Sequence, residues 1–327
     1  MKEQFIKTVI ELMAPHLKNQ QTKLLSEVLA FCLTGKTIEG TNRSDINPEN
    51  DLLDRFLSAK KVEGLSNRSI KYYQATIEAM KKAVNKEERT ITTEDLRKYL
   101  SSYQKGKSLS KVTIDNTRRI LSSYFSWLED EDFIIKNPIR RIHKIKTGVV
   151  IKEIFTDEAL EQIRDNCSSI RDLAIVDLLA STGMRVGELV ALNRQDVNFA
   201  ERECKVLGKG NKERMVYFDA RTALHLASYL STRSDVNDAL FVSLHAPFAR
   251  IGIAAIESRI RELGKLLKIH KAHPHKFRRT LATRAIDKGM PIEQLQVLLG
   301  HKRIDTTLQY ALVNQANVKT SHRRYIG

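Results

Sequence analysis

One short run separates this chain from a plain helical assembly. In CKVLGKGNKERMVYF (204–218) two stretches of strand-forming residues flank GKGNK, the pattern of a β-hairpin closed by a glycine-rich turn with Lys209 at its tip. Nearly everywhere else apolar residues recur three and four positions apart, the spacing of amphipathic helices. A lone strand pair between helical stretches predicts a mainly α chain with a small β-sheet in its second half.

The helical stretches fall into groups. Residues 1–47 hold two short helical patterns, broken near Pro15, followed by a polar, turn-rich loop, and carry no recognisable chemistry. Residues 48–137 read as a compact helical unit. Ser66 or Asn67 caps its second helix, Thr92 or Thr93 its third, and Ser110 starts its fourth, SKVTIDNTRRILSSYFSWLEDE, with Pro138 as the breaker that stops it. Trp127, at helical spacing from Tyr124, reads as core. Residues 138–155 are basic, hold no sustained period and read as a linker. From Thr156, itself a helix cap, a larger unit runs to 327. Its helix IRDLAIVDLLASTG is apolar nearly all round, hence buried, and ends at Gly183, so that Arg185 leaves it on a rigid mount with Glu188 placed to orient it.

A formal net charge of +16, from 55 Lys+Arg against 39 Asp+Glu, points to a polyanionic partner, nucleic acid by default. Arg68, Lys71, Lys111, Arg118 and Arg119 in the helical unit and Arg140 and Arg141 in the linker are candidates for a phosphate-tracking face; as single residues they read equally well as solvated surface charge. No long apolar run spans a bilayer and no basic-apolar leader opens the chain, so the expectation is a cytoplasmic protein with no membrane association. Cys32, Cys167 and Cys204 lie far apart and read as reduced thiols.

The densest chemistry lies in HKFRRTLATRAIDKGMPIEQLQVLLGHKRIDTTLQY (275–310), which holds His275, Arg278, His301 and Tyr310. The run His270, His273, His275 raises a zinc site, but it contains no carboxylate or cysteine and His273 precedes a proline, so no metal is assigned. There is no Walker A motif and no acidic cluster for Mg²⁺, so no cofactor is expected. Singly, each residue has an ordinary structural explanation: Arg185 paired with Glu188, Lys209 a turn lysine, His301 part of a helix end, Tyr310 core. As a set they suit attack on a phosphodiester. Arginine forks match the non-bridging oxygens, either histidine can hydrogen-bond or take a proton, a tyrosine hydroxyl can attack with help, and a lysine can protonate a sugar oxygen as it leaves.

Five segments in order resemble the tyrosine recombinases of the Xer and phage-integrase type: NTRRILSSYFSWLEDEDFIIKNP, STGMRVGELVAL, VLGKGNKERMVY, HPHKFRRTLAT and LLGHKRIDTTLQY. The resemblance spans roughly residues 50–320. It implies the catalytic set Arg185, Lys209, His275, Arg278, His301 and Tyr310, with Tyr310 the nucleophile. It implies a two-domain C-shaped clamp, a helical core-binding domain joined by a linker to a catalytic domain. The implied activity is site-specific DNA recombination through a 3′-phosphotyrosyl intermediate and a Holliday junction. The implied partner is double-stranded DNA with inverted-repeat half-sites, bound by a homotetramer or by a heterotetramer with a related recombinase. The tail after Tyr310 is expected to dock on a neighbouring protomer. Arg279 stands where many Xer proteins have histidine, and Ala311 follows the tyrosine in place of the more usual threonine or serine. Residues 1–45 match nothing in the minimal Xer plan. Two other classes share features: a type IB topoisomerase shares the chemistry, and a non-catalytic DNA-binding regulator shares only the charge. Within the recombinases, chromosome-dimer resolution and mobile-element integration or excision both fit.

Overall fold

The computed structural model of the chain describes residues 2–14, 17–36, 48–106, 109–146, 148, 153–208 and 212–311. The chain divides into two units, Met1–Val149 and Val150–Gly327.

The first unit is helical. Helices α1 (Lys2–Met13) and α2 (Asn19–Cys32) pack on each other on either side of the Pro15 region, and neither buries a residue. Helices α3 (Pro48–Val62), α4 (Asn67–Val84), α5 (Thr93–Gly106) and α6 (Lys111–Asp130) enclose a core of Phe56, Ile77, Met80, Leu96, Leu121 and Phe125. The caps sit where side-chain chemistry puts them. Ser66 Oγ accepts from the Ser69 N–H at 3.3 Å, Thr92 Oγ1 from the Asp95 N–H at 3.2 Å, and Ser110 Oγ from the Thr113 N–H at 3.2 Å. Trp127 packs between Phe56 and Phe133 at 5.6 Å from each ring, in the core.

Helix α6 stops where its residue pattern does, well short of Pro138. It ends at Asp130, because Asp132 turns left-handed (φ 60°) and the Phe133 N–H folds back to the Leu128 carbonyl at 2.8 Å. Burial of Ile134, and of Phe133 against Trp127, rewards that reversal before the proline is reached. The segment read as a linker is anchored at its ends. Ile139 is buried in the first core, and the Ile145 N–H donates to Asp115 Oδ1 at 3.0 Å. At the other end the Phe155 N–H donates to Thr280 Oγ1 at 2.9 Å, and the Phe155 ring lies 4.7 Å from Phe277 in the second core.

The second unit is built around α8 (Ile170–Thr182), which follows α7 (Asp157–Asp165), capped by Thr156. The two acids on α8, Asp172 and Asp177, are buried but paired. Asp172 accepts from Arg171 and Arg259, and Asp177 accepts from Arg164 and faces His225. Helix α9 (Val186–Ala191) leads into a three-stranded antiparallel sheet, β1 (Val197–Asn198), β2 (Glu203–Gly208) and β3 (Lys212–Tyr217), in that order. Cys204 pairs with Val216 and both are buried, so that face of the hairpin closes the core. Residues 238–243 make isolated bridges, Asn193 to Ala239 and Val242 to Arg250. Helices α10 (Ala220–Ser231) and α11 (Ile253–Leu266) complete the shell. The stretch from His275 to Tyr310 forms three helices: α12 (Pro274–Asp287), α13 (Ile292–Leu299) and α14 (Ile304–Ala311). Helix α12 packs on α8, α13 and α14, and β3 packs on α8 and α13. The mainly α architecture with one small sheet in the second unit is the one the pattern predicts.

Candidate active site

Arg278 lies at the centre. Proline at the first helical position starts α12, and the apolar neighbour Phe277 draws that helix face into the core, carrying Arg278 with it to 1% exposure. The fork is held by backbone carbonyls. Nη1 donates to the Gly183 carbonyl at 2.8 Å, and Nη2 donates to the Leu299 carbonyl at 2.5 Å and to His301 Nε2 at 2.9 Å. Both carbonyls are delivered by helix ends in which the chain reverses at a left-handed glycine, Gly183 (φ 60°) after α8 and Gly300 (φ 63°) after α13. At Gly183 a Cβ would also come within 2.5 Å of Leu281 Cδ2. Arg278 Nε is buried with no acceptor among the described residues. Burial, with Arg185 adding repulsion, pulls the arginine down to about 10. A buried guanidinium held by dipoles alone is suited to an anionic partner.

Arg185 begins α9. Its backbone N–H donates to Glu188 Oε2 at 2.8 Å and its Nη1 to Glu188 Oε1 at 2.7 Å, which is the orienting role the sequence assigned to Glu188. Its other nitrogen, Nη2, reaches toward the Gly300 carbonyl at 3.4 Å. Glu188 also carries a second arginine. Arg214 of β3 grips the same carboxylate with both Nη atoms, at 2.8 and 2.7 Å, and its Nε donates to the Leu298 carbonyl at 3.0 Å. Burial pushes the Glu188 carboxyl up, but Arg214 and the Arg185 N–H outweigh it and hold the group at about 2. Two guanidinium groups thus share one carboxylate, leaving a local excess of positive charge.

His301 bridges the arginine to the tyrosine helix. Arginine only donates, so His301 Nε2 accepts from Arg278; Nδ1 therefore carries the proton and donates to Thr307 Oγ1 at 2.8 Å. Burial, then Arg278 and Arg185, push His301 down to about 4, so the ring is neutral at physiological pH. Tyr310 is one turn beyond Thr307 on α14, buried against Ala282, Leu295 and Leu299, its ring stacked 6.0 Å from His301. Thr307 and Tyr310 are the only buried residues among the described side chains of α14. An eight-residue helix is too short to be stable alone, so its position rests on those two contacts.

His275 lies on the exposed side of the first turn of α12, its ring stacked 6.4 Å from His273. His270 Nδ1 faces Glu153 Oε2 at 3.3 Å, and among the described residues no three His, Cys, Asp or Glu side chains converge. Lys209 lies outside the described residues, as does the tail 312–327; Gly208 and Lys212, which flank the turn, pair with each other. Arg279 donates to the Glu153 carbonyl at 2.8 Å and so holds the entry to the second unit. In the first unit Arg68, Lys71, Lys111, Arg119, Arg140 and Arg141 are exposed, Arg140 reaching Glu129 at 2.8 Å. Arg118 differs: its Nε is committed to Asp115 at 2.9 Å. Sequence reasoning passed over Arg214 and Thr307. The one signal for Arg214 is its position on the strand face that alternation turns inward, where a charged residue needs a partner.

Comparisons with known proteins agree on one family. The phage integrase family model matches residues 153–317, and the phage integrase N-terminal SAM-like domain model matches residues 52–135. Tyrosine recombinase XerC of Staphylococcus aureus (strain USA300) is 30% identical over 288 residues, which cover 83% of this chain and 94% of that protein. Two solved structures share the fold. One is XerH site-specific recombinase bound to palindromic difH substrate in a post-cleavage complex (TM-score 0.68, 19% identity, 97% of this chain and 93% of that one). The other is a lambda integrase dimer bound to a COC′ core site (TM-score 0.68, 17% identity, 92% and 89%).

Proposed function

The chain belongs to the phage integrase family and is a tyrosine site-specific recombinase; from that premise we propose that Tyr310 cuts one DNA strand at a phosphate gripped by Arg185 and Arg278. The observation that carries the reading is the cluster itself: the Arg278 fork hydrogen-bonded to His301, with the Tyr310 ring stacked on that histidine.

In this reading Tyr310 Oη attacks phosphorus and the bond to the 5′-oxygen breaks, leaving a 3′-phosphotyrosyl linkage. The arginines stabilise charge that builds on the non-bridging oxygens. His275, at the open edge of the site, moves the tyrosine proton. His301, neutral and fixed between Arg278 and Thr307, holds the arginine in place. Lys209 protonates the departing 5′-oxygen. The 5′-hydroxyl of a partner strand then attacks the linkage, restoring a phosphodiester and freeing Tyr310. Two such rounds pass through a Holliday junction. The bond energy is kept in phosphotyrosine, so neither metal nor nucleoside triphosphate is consumed.

Residues 48–137 serve as the core-binding domain, 138–155 as the linker and 156–327 as the catalytic domain, with 1–47 an extension. The exposed cations Arg68, Lys71, Lys111, Arg119, Arg140 and Arg141 track phosphates. Four protomers act on two sites with inverted-repeat half-sites, in the cytoplasm, for dimer resolution or for element integration and excision; mapping the bound site separates the two roles.

The test is a nicked suicide substrate. Wild type forms a covalent protein–DNA adduct, and Tyr310→Phe forms none while binding the DNA as wild type does. Adducts in Tyr310→Phe would show a different nucleophile. Strand exchange between two sites, as opposed to relaxation of supercoils alone, separates recombinase from topoisomerase.

A further inference from the structure

The guanidinium of Arg214 sits in a slot between three segments that reach the active site from different parts of the fold. Its fork takes both oxygens of Glu188, the carboxylate that orients Arg185. Its Nε takes the Leu298 carbonyl, one residue before the carbonyl that holds Arg278 and three before His301. Its own backbone belongs to β3, two residues along from Lys212, which closes the hairpin against Gly208. The wall of the slot is Gly300: a Cβ there would lie 3.0 Å from Arg214 Cδ and 3.1 Å from Nε. Gly300 thus serves a close approach as well as a left-handed helix end. The side chain is largely buried, which strengthens each of these bonds.

We propose that Arg214 is a positioning residue that ties the β2–β3 strand pair to the arginine grip. Two of its three hydrogen bonds go to the carboxylate that holds Arg185, and the third goes to the carbonyl next to the one that holds Arg278. The fork locks the Glu188 carboxylate in the plane Arg185 needs and pins the end of α13. Without that fork, Arg185 keeps its charge but loses its fixed aim. Lysine cannot stand in, because one ammonium cannot make the planar pair and the third bond together.

This inference rests on the proposed cleavage reaction, and the experiment separates the two. Single-turnover cleavage of the nicked substrate is measured for wild type, Arg214→Gln, Arg214→Lys, Glu188→Gln and the double variant Arg214→Gln/Glu188→Gln, with DNA affinity and thermal unfolding in parallel. Each substrate is also made with a 5′-thiol leaving group, which needs no proton from a lysine. The single variants are expected to cleave about 100-fold more slowly, the cost of a small misplacement in a preorganised site. DNA affinity is expected to stay within about threefold. The double variant is expected to be no slower than the worse single one. The 5′-thiol is expected to recover part of the Arg214→Gln loss, because loosening β3 loosens the strand pair that leads in sequence to the proposed acid, Lys209. Gly300→Ala, which crowds the guanidinium without removing it, is expected to show the same partly relieved defect, so the inference does not depend on how well the Arg214 variants fold. Full activity in Arg214→Lys, additive losses in the double variant, or no relief by the thiol would each overturn the inference. A wild-type protein that makes no adduct would overturn the proposed reaction instead.

Discussion

Glu188→Gln is the sharpest probe of how the site is held. The carboxylate is 5% exposed and accepts four hydrogen bonds, from the Arg185 N–H, Arg185 Nη1 and both Nη atoms of Arg214. It is held at about 2, against an ordinary value near 4.5. A shift of that size makes the ionised group worth about 3 kcal/mol to the folded state at neutral pH. Removing one partner from a buried ion pair gives a similar figure, about 3–5 kcal/mol, because the guanidiniums left behind lose their counter-charge. Glutamine keeps the shape but turns one donor toward other donors. The catalytic unit of the variant is therefore expected to lose about 3 kcal/mol at pH 7, a fall in melting temperature of about 6–12 °C. The pH dependence has a fixed sign. The folded-state pKa is depressed, so the advantage of wild type is complete above about 4.5, shrinks as the pH falls and is gone near 2. Urea unfolding of both proteins from pH 7 to pH 3 measures the gap. A gap under about 1 kcal/mol at pH 7, or one that stays constant down to pH 3, would refute the reasoning.

Three further outcomes follow from the same geometry. His301 is pushed down to about 4, so its ring is expected to stay neutral and Nδ1-protonated from pH 8 to pH 5 in ¹⁵N NMR; a transition between 6 and 7 would contradict the bond from Arg278. Gly183→Ala combines a left-handed backbone with a Cβ 2.5 Å from Leu281 Cδ2, and is expected to lower stability by about 1–3 kcal/mol, with part of the loss restored by a second change, Leu281→Ala. Lys209→Ala is expected to slow cleavage of a normal strand and to regain most of its rate on a 5′-thiol substrate; no recovery would remove the lysine from the proton-transfer role.

Much of the local structure could be read along the chain because its causes are local. A serine or threonine oxygen finds an amide N–H three residues on, which is why the starts of α4, α6 and α7 fall at Ser66, Ser110 and Thr156. A glycine after an apolar run ends a helix, as at Gly183. The end of α6 falls where its residue pattern ends, but the path of the chain beyond it has a cause that is not local. Pro138 is a visible breaker, but Phe133 and Ile134 turn back to a core whose other residues come from distant helices, and that reward is invisible in a local window.

The sequence by itself determined the helices, the lone hairpin and the order of the polar groups on which the proposed chemistry rests. Only the tertiary structure decided how they are held. Glu188 and Arg214 are 26 residues apart, and Arg278 donates to a carbonyl 95 residues before it. Every residue carries a backbone carbonyl whatever its side chain, so nothing in the letters marks Gly183 and Leu299 as the two that will hold an arginine. That choice is made when α8, α12 and α13 pack and bring three helix ends to one buried point.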